Sequence, residues 1–458
     1  MKKFWKQESK QKVFDFCEGY KEFLSNNKTE RECVIAIREE AKKHGFVDLK
    51  QMIEKGIALK AGDKLFATNL DKCIFLFTIG EEPLEKGLHI LGSHIDSPRL
   101  DLKPNPLYEN DASKIALLDT HYYGGIKKYQ WTAMPLAIHG VVCKKGGEVV
   151  RISIGDNDND PVFCISDLLP HLDRDLTKGA EAKIVGENLN VIVGGIPVED
   201  SDKEAVKANI LNILKGYNLE EEDFISAELE IVPAGRARDM GFDRSFVLAY
   251  GQDDRICAYT SLKAFIEIDK PQYTTVSMFV DKEEVGSMGA SGMQSLFFED
   301  MVAEIANLLG EKSHLVVRRA LRNSYMISSD VTAGYDPNYE GVFDRNNDAF
   351  LSKGISFNKY TGGRGKSGAN DASPEYIAQL REILDQNGIN YQLTEMGKID
   401  QGGGGTIAYI TANYGMNVID CGCPLLNMHA PWEISSKSDV FDAYRFYKAF
   451  LKSDHFNK

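Results

Sequence analysis

The run Thr274 to Val280 (TTVSMFV) carries only apolar side chains and small hydroxyls, and it ends abruptly in Asp281-Lys282-Glu283-Glu284. Glycines and small residues follow to Gly292. A short uninterrupted run of this kind reads as a buried strand. The charges that end it then lie at the strand's C-terminal edge, ahead of a turn and a helix start. In open α/β sheets that edge is where ligands bind. Two adjacent carboxylates can divide two tasks there, one ligating a cation and the other moving a proton. Taken alone, the pair reads more simply as a solvated charged turn.

A second stretch, Gly92 to Leu100 (GSHIDSPRL), follows two apolar runs, Cys73 to Ile79 and Leu88 to Gly92. His94 and Asp96 are two apart on an extended segment, so they point to the same side. A carboxylate behind an imidazole can orient it toward a metal. A bare His-x-Asp recurs often by chance, and it gains weight only in company.

At 458 residues, 43% hydrophobic and 27% charged, the chain has room for two or three domains and a large core. Its net charge of -14 argues against nucleic acid or an anionic membrane surface as the main partner. That charge suits a protein that collects divalent cations. No apolar run approaches the ~20 residues of a transmembrane helix. The N-terminal MKKFWKQESKQKVFDF lacks the apolar core of a signal peptide. The eight cysteines are scattered, with no Cys-x-x-Cys pair, and read as reduced, mostly buried thiols of a cytoplasmic protein.

Two helices are expected over 10–26 and 29–44, the second started by Thr29 with Glu32 three residues on. From 101 to 245 the texture changes to short β-like runs (136–142, 148–154, 190–196) and a mixed helix over 202–215. This predicts an inserted, mostly β domain at 101–245 within an α/β domain made of 1–100 and 246–458. Asp156, Asp158 and Asp160 alternate as in a calcium loop, but the glycine and closing glutamate are missing, so a surface turn is expected. Beyond 246 the expected strands are 246–250, ending in Gly251-Gln252-Asp253-Asp254-Arg255, 326–329, ending in Asp330, and 417–421, leading to Asn427-Met428-His429. Helices are expected over 257–268 and 439–452, and Gly402 to Gly405 should open a helix running through Ala412. The fold class is α/β, an α/β/α domain with a mixed central sheet.

Five strands in this reading end in a ligand-type residue: His94, Asp253, Glu284, Asp330 and His429. All five are expected at the C-terminal strand edges of one sheet. Two imidazoles and three carboxylates suit zinc, cobalt or manganese rather than a thiolate zinc site. With one carboxylate shared, they could hold two ions, and a bimetal site can activate water and polarise a carbonyl together. Glu283, beside a ligand, would be free to act as general base. Asp96 would orient His94 or the ion. Each residue also has a dull reading: Asp330 as a helix cap, His429 as a core histidine, Asp253 as a partner of Arg255.

The segments GSHIDSPRLDLKP, GQDDR, DKEEVGSMGASG, SSDVTAGYDPNY and NMHAPWE resemble, in order and over nearly the whole chain, the motifs of the aspartyl aminopeptidase family, which includes vacuolar aminopeptidase I. The resemblance implies a dizinc exopeptidase acting on peptide N-termini, with an inserted dimerisation domain and a tetrahedral dodecamer built from dimers. It implies His94, Asp253 (bridging), Glu284, Asp330 and His429 as ligands, Glu283 as general base and Asp96 as the supporting carboxylate. Asp253 is preferred to Asp254 because the helix that follows then aligns with the family pattern. His171 matches a family histidine assigned both to metal and to substrate. The substrate contact, supplied by a neighbouring subunit, is favoured because an inserted domain more easily donates a residue across an interface.

Two features depart from the aspartyl-specific members. Gly397 to Gly405 (GKIDQGGGG) is richer in glycine, and it reads as a backbone cradle for substrate or as a flexible turn. Lys359 lies where a lysine would meet an acidic side chain, but in different surroundings. Neutral or broad specificity is therefore expected as readily as acidic. The rival functions are a metal-dependent deacylase or carboxypeptidase, and a non-catalytic assembly protein on the same fold.

Overall fold

Strand Thr275–Val280 is buried at all six positions. It belongs to a computed structural model that describes residues 7–169, 171–172, 184–199, 203–454 and 456. Its side chains alternate between two apolar layers. Phe279 joins Leu76, Leu91 and Ile327 in one. Val276, Met278 and Val280 join Phe75, Phe77 and Ile90 in the other. Burial on both faces is why the run lacks polar alternation. Each fully buried Phe, Leu or Ile in these layers contributes roughly 1.5–3 kcal/mol.

The first layer takes in helices Gln7–Asn26, Glu30–Lys43, Gln252–Phe265, Pro374–Gln386 and Lys437–Leu451. The second takes in Phe297–Leu308, His314–Arg322 and Ala408–Ala412. Helix Glu30–Lys43 starts as expected. Thr29 Oγ1 accepts the Glu32 N–H at 3.2 Å, and the Glu32 carboxylate accepts the Thr29 N–H at 3.1 Å.

The central sheet has nine strands, in the order Val47–Asp48, Lys64–Asn69, Cys73–Thr78, Thr275–Val280, His89–His94, Tyr325–Ser328, Asn417–Gly422, Ile355–Asn358, Tyr391–Thr394. Thr275–Val280, His89–His94, Tyr325–Ser328 and Asn417–Gly422 run parallel. Their C-terminal ends therefore meet at one edge. Cys73–Thr78 is antiparallel to Thr275–Val280, so the sheet is mixed.

The chain divides into two compact units. Met1–Asp96, Ala237–Met428 and Glu433–Lys458 form the first, which holds the nine-stranded sheet. Ser97–Arg236 and His429–Trp432 form the second. The second is mostly β: six antiparallel strands, Val149–Ile154, Leu136–Cys143, Ala227–Pro233, Arg99–Glu109, Ala116–Tyr123 and Val191–Gly194, with helix Ala205–Lys215. The aspartate-rich loop is a turn, as expected. The Asp160 carboxylate accepts the N–H groups of Gly155 and Asn157, and Asp156 lies 2.9 Å from the buried His139.

Two expectations need correction. Strand Phe246–Ala249 is not in the central sheet. It joins a five-stranded sheet with Arg238–Met240, Glu433–Ser436, Pro424–Leu426 and Thr332–Ala333. Its half-buried alternation suits pairing there better than burial on two faces. Gly402 to Gly405 does not open a helix either. Gly403–Gly404 pairs antiparallel with Gly362–Gly363, and helix Ala408–Ala412 begins beyond Thr406.

Candidate metal centre

His94 ends its strand with a buried imidazole. Its Nδ1 lies 3.0 Å from the Asp96 carbonyl oxygen and 3.3 Å from the Asp96 carboxylate. A proton on Nδ1 can thus be donated to Asp96, which leaves Nε2 to face the cluster. Nε2 is 3.1 Å from Asp253 Oδ1 and 3.9 Å from both Glu283 Oε2 and Asp330 Oδ1.

The glutamates sit on a turn, Glu283–Val285, entered through Lys282 (φ 70°) and left through Gly286 (φ 95°). Two left-handed residues fold the chain back, so both carboxylates stay at the sheet edge instead of passing into a helix. Asp96 fixes this turn from below. Its Oδ1 accepts the Glu283 N–H and its Oδ2 the Glu284 N–H, each at 3.2 Å. Asp281 is fully buried and accepts the Ser291 hydroxyl at 2.5 Å. Burial and the charges of Glu30 and Asp96 push its carboxyl up to about 6, against the pull of Lys72.

Asp253 is reached through Gly251 (φ 69°) and has extended backbone angles (φ −81°, ψ 107°) before a cis peptide to Asp254. Its N–H donates to Glu433 Oε2 at 3.1 Å. The neighbouring Gln252 side chain accepts from the Tyr20 and Ser435 hydroxyls and donates to the carbonyls of Val247 and Glu433. Asp330 lies two residues past its strand and donates its N–H to the Cys421 carbonyl. Gly422 abuts it: a Cβ there would come within 2.0 Å of the Asp330 carbonyl oxygen.

Three overlapping groups can each offer donor atoms within 4.8 Å of one another: His94, Asp253 and Glu284; His94, Glu283 and Asp330; and Asp253, Asp254 and Asp330. The crowding is electrostatically costly. Burial pushes the Asp330 carboxyl well above the usual range, and the charges of Asp254, Glu283 and Asp253 push the same way. Asp254 is raised well above that range too, by burial and by Asp253. Burial alone would lower His94, but hydrogen bonds to Asp253 and Asp96 and the charges of Glu283 and Asp330 raise it well above its ordinary value. A divalent cation reverses this logic. It would displace the His94 proton and neutralise the carboxylates. One imidazole with several carboxylates is a donor set that zinc, cobalt or manganese accepts, so the residues present fit such an ion.

The structure thus brings His94, Asp253, Glu283, Glu284 and Asp330 together, with Asp96 behind. His429 belongs to the second unit, where its Nδ1 lies 3.3 Å from the Gly125 carbonyl oxygen. His171 is exposed on a turn of that unit. Lys359 is half-buried, with its ammonium 5.2 Å from the centre of the Tyr360 ring. Sequence reasoning set Asp254 aside in favour of its neighbour and did not weigh Asp281. The only signal was proximity in sequence: Asp254 is next to Asp253, and Asp281 is two residues before Glu283.

A donor cluster at the carboxyl edge of an α/β sheet, built around an imidazole and paired glutamates, is the arrangement of a metal-dependent hydrolase. The family model described as aminopeptidase I zinc metalloprotease (M18) matches residues 23–451, and the chain belongs to that family. It is a zinc-dependent aminopeptidase, so the deacylase, carboxypeptidase and assembly-protein readings are not favoured. A probable M18 family aminopeptidase 1 of Clostridium acetobutylicum is 58% identical over 444 residues, covering 96% of this chain and 95% of the relative. The crystal structure of an M18 aminopeptidase from Thermotoga maritima has a TM-score of 0.92 at 45% identity, covering 98% of each chain. The mApe1 dodecamer of Saccharomyces cerevisiae shares the fold, with a TM-score of 0.78 at 22% identity over 97% of each chain.

Proposed function

We propose that the chain removes N-terminal residues from peptides with Glu283 as general base, and that His94, Asp253, Glu284, Asp330 and His429 would hold two zinc ions. The observation that carries this is the placement of Glu283. Its carboxylate is 3.9 Å from His94 Nε2, and its backbone is held by Asp96. When bound, the ions supply Lewis acidity toward water and the scissile carbonyl. Glu283 takes the proton from the attacking water at its carboxylate and delivers it to the leaving amine. Asp96 keeps His94 and the glutamate turn in register while this happens. Asp254 and Asp281 are too deeply buried to reach substrate and act behind the ligands.

His171 contacts substrate in a neighbouring subunit, and the second unit mediates dimers that build a dodecamer, as the assembly named for the yeast relative suggests. Lys359 contributes a substrate contact of lower weight. Neutral or broad specificity fits the site as readily as acidic, and the enzyme works in the cytoplasm, where its free, mostly buried thiols stay reduced.

The test is Glu283→Gln, assayed on a panel of aminoacyl substrates with a chelator control and with metal measured by mass spectrometry. Turnover should vanish while zinc stays bound. Near-normal turnover would remove Glu283 from its role. The preferred substrate decides between neutral and acidic specificity.

A further inference from the structure

The hairpin joining Lys64–Asn69 to Cys73–Thr78 turns through two consecutive left-handed residues, Leu70 (φ 53°) and Asp71 (φ 52°). Neither is glycine, so the turn is held by its contacts rather than by backbone freedom. On one side, Arg31 donates to the Leu70 carbonyl at 3.1 Å and Arg38 pairs with Asp71 at 2.8 Å, which tie it to helix Glu30–Lys43. On the other side it meets the loop that carries the two glutamates. Asn69 Nδ2 donates to the Ala290 carbonyl at 2.7 Å. Lys72 Nζ stands 3.6 Å from Asp281 Oδ2 and 2.9 Å from Glu30 Oε1. Lys72 is only 10% exposed, and both carboxylates are fully buried.

These contacts grip both ends of one loop. Asp281 opens it, and Ala290 and Ser291 close it. The Asp281 N–H donates to the Ser291 carbonyl at 3.4 Å, and the Ser291 hydroxyl returns to the Asp281 carboxylate. Between these ends lies the Glu283–Val285 turn. The loop's own fastening is thus backed by an ammonium that offsets two buried carboxylates, which would otherwise repel each other.

We propose that Lys72, seconded by Asn69, is a positioning residue for catalysis: from the distant hairpin it clamps the Asp281–Ser291 loop and thereby sets where Glu283 stands. The proposal rests on the reading of Glu283 as general base. Lys72 touches neither substrate nor the reacting atoms, and no proton passes through it.

The experiment compares Lys72→Met, Lys72→Arg, Asn69→Ala and Glu283→Gln with the parent enzyme, all zinc-loaded. Steady-state kinetics, zinc content and amide hydrogen exchange across 282–292 are read for each. Lys72→Met should lower kcat by about 10- to 100-fold, with KM and zinc content unchanged. Its loop amides should exchange about tenfold faster or more. Lys72→Arg should restore most of both, because it returns a cation to the same two carboxylates, and Asn69→Ala should show the same changes in milder form. Parent-like kcat and exchange in Lys72→Met would overturn the proposal, as would a loss explained wholly by lost zinc, or no recovery in Lys72→Arg. If Lys72→Met does not fold, Asn69→Ala decides, and parent-like loop exchange in it overturns the clamp. Should Glu283→Gln keep its turnover, the base assignment falls, while the exchange data still report whether the clamp holds the loop.

Discussion

Asp96 Oδ2 accepts the backbone N–H of Glu284 at 3.2 Å, so the acid two residues beyond His94 also holds the far side of the centre. Its other oxygen accepts the Glu283 N–H and lies 3.3 Å from His94 Nδ1. An amide in its place keeps one acceptor and turns an N–H₂ group toward another donor. Asp96→Asn should therefore cost about 10- to 100-fold in kcat/KM or in metal affinity. Steady-state kinetics alongside zinc titration checks this, and parent-like values in both would show the contact to be idle.

Gly422 is where the backbone of one strand touches the backbone of Asp330, a proposed ligand. A methyl group there meets the Asp330 carbonyl oxygen at 2.0 Å and its carbon at 2.5 Å, and neither can move without moving Asp330. Gly422→Ala should lose zinc affinity and at least about 1–3 kcal/mol of stability. Isothermal titration with zinc and urea unfolding read both effects. The same substitution at Gly405, with nothing within 4 Å, should be tolerated.

His89 predicts how the fold responds to acid. Its ring is buried among Tyr273, Tyr325, Phe450 and Phe456, and burial lowers it from 6.5 to about 4. The unfolded chain binds this proton near pH 6.5, and the folded chain only near pH 4. Stability from this residue is thus fully present above pH 6.5 and is lost as pH falls from there toward 4. The loss is about 3 kcal/mol over that window. His89→Phe should flatten the acid limb of a plot of unfolding free energy against pH by that amount. An unchanged limb would mean the ring is charged in the fold.

Chelation should weaken the fold as well as stop turnover. Ions bound only to the folded chain stabilise it by about 2.7 kcal/mol for each site at a free concentration of one hundred times Kd. Thermal unfolding with and without chelator should show a matching drop in Tm that excess zinc reverses. Asp330→Asn, with a weakened site, should show a smaller drop.

The central strand and its glutamates were readable because a strand buried on both faces leaves no room for polar residues, and the charges mark where the sheet must end. His94 and Asp330 were readable for the same reason. The sheet whose strand leads to Asp253 was not. Phe246–Ala249 alternates as an edge or middle strand of either sheet would, and its partner Glu433–Ser436 is almost two hundred positions away. Nor could adjacency separate Asp253 from Asp254, since the backbone angles of the turn aim each carboxylate. Lys72 was invisible because an Asn-Leu-Asp-Lys turn looks like surface, and its burial depends on two carboxylates brought from elsewhere.

The donor residues are also spread along the chain in a way that orders events in time. His94 precedes the stretch Ser97–Arg236 of the second unit, and Asp253, Glu284 and Asp330 come after it. At ribosomal rates of about 5–20 residues per second, more than about 10 s separates the emergence of His94 from that of Asp330. Throughout that interval a nascent chain holds a histidine and an aspartate but no complete pocket. With the proposed ligand set, zinc capture falls late in biogenesis, and a chain stalled before Asp330 would lack a complete centre however much zinc surrounds it, since Asp330 and His429 would both be missing.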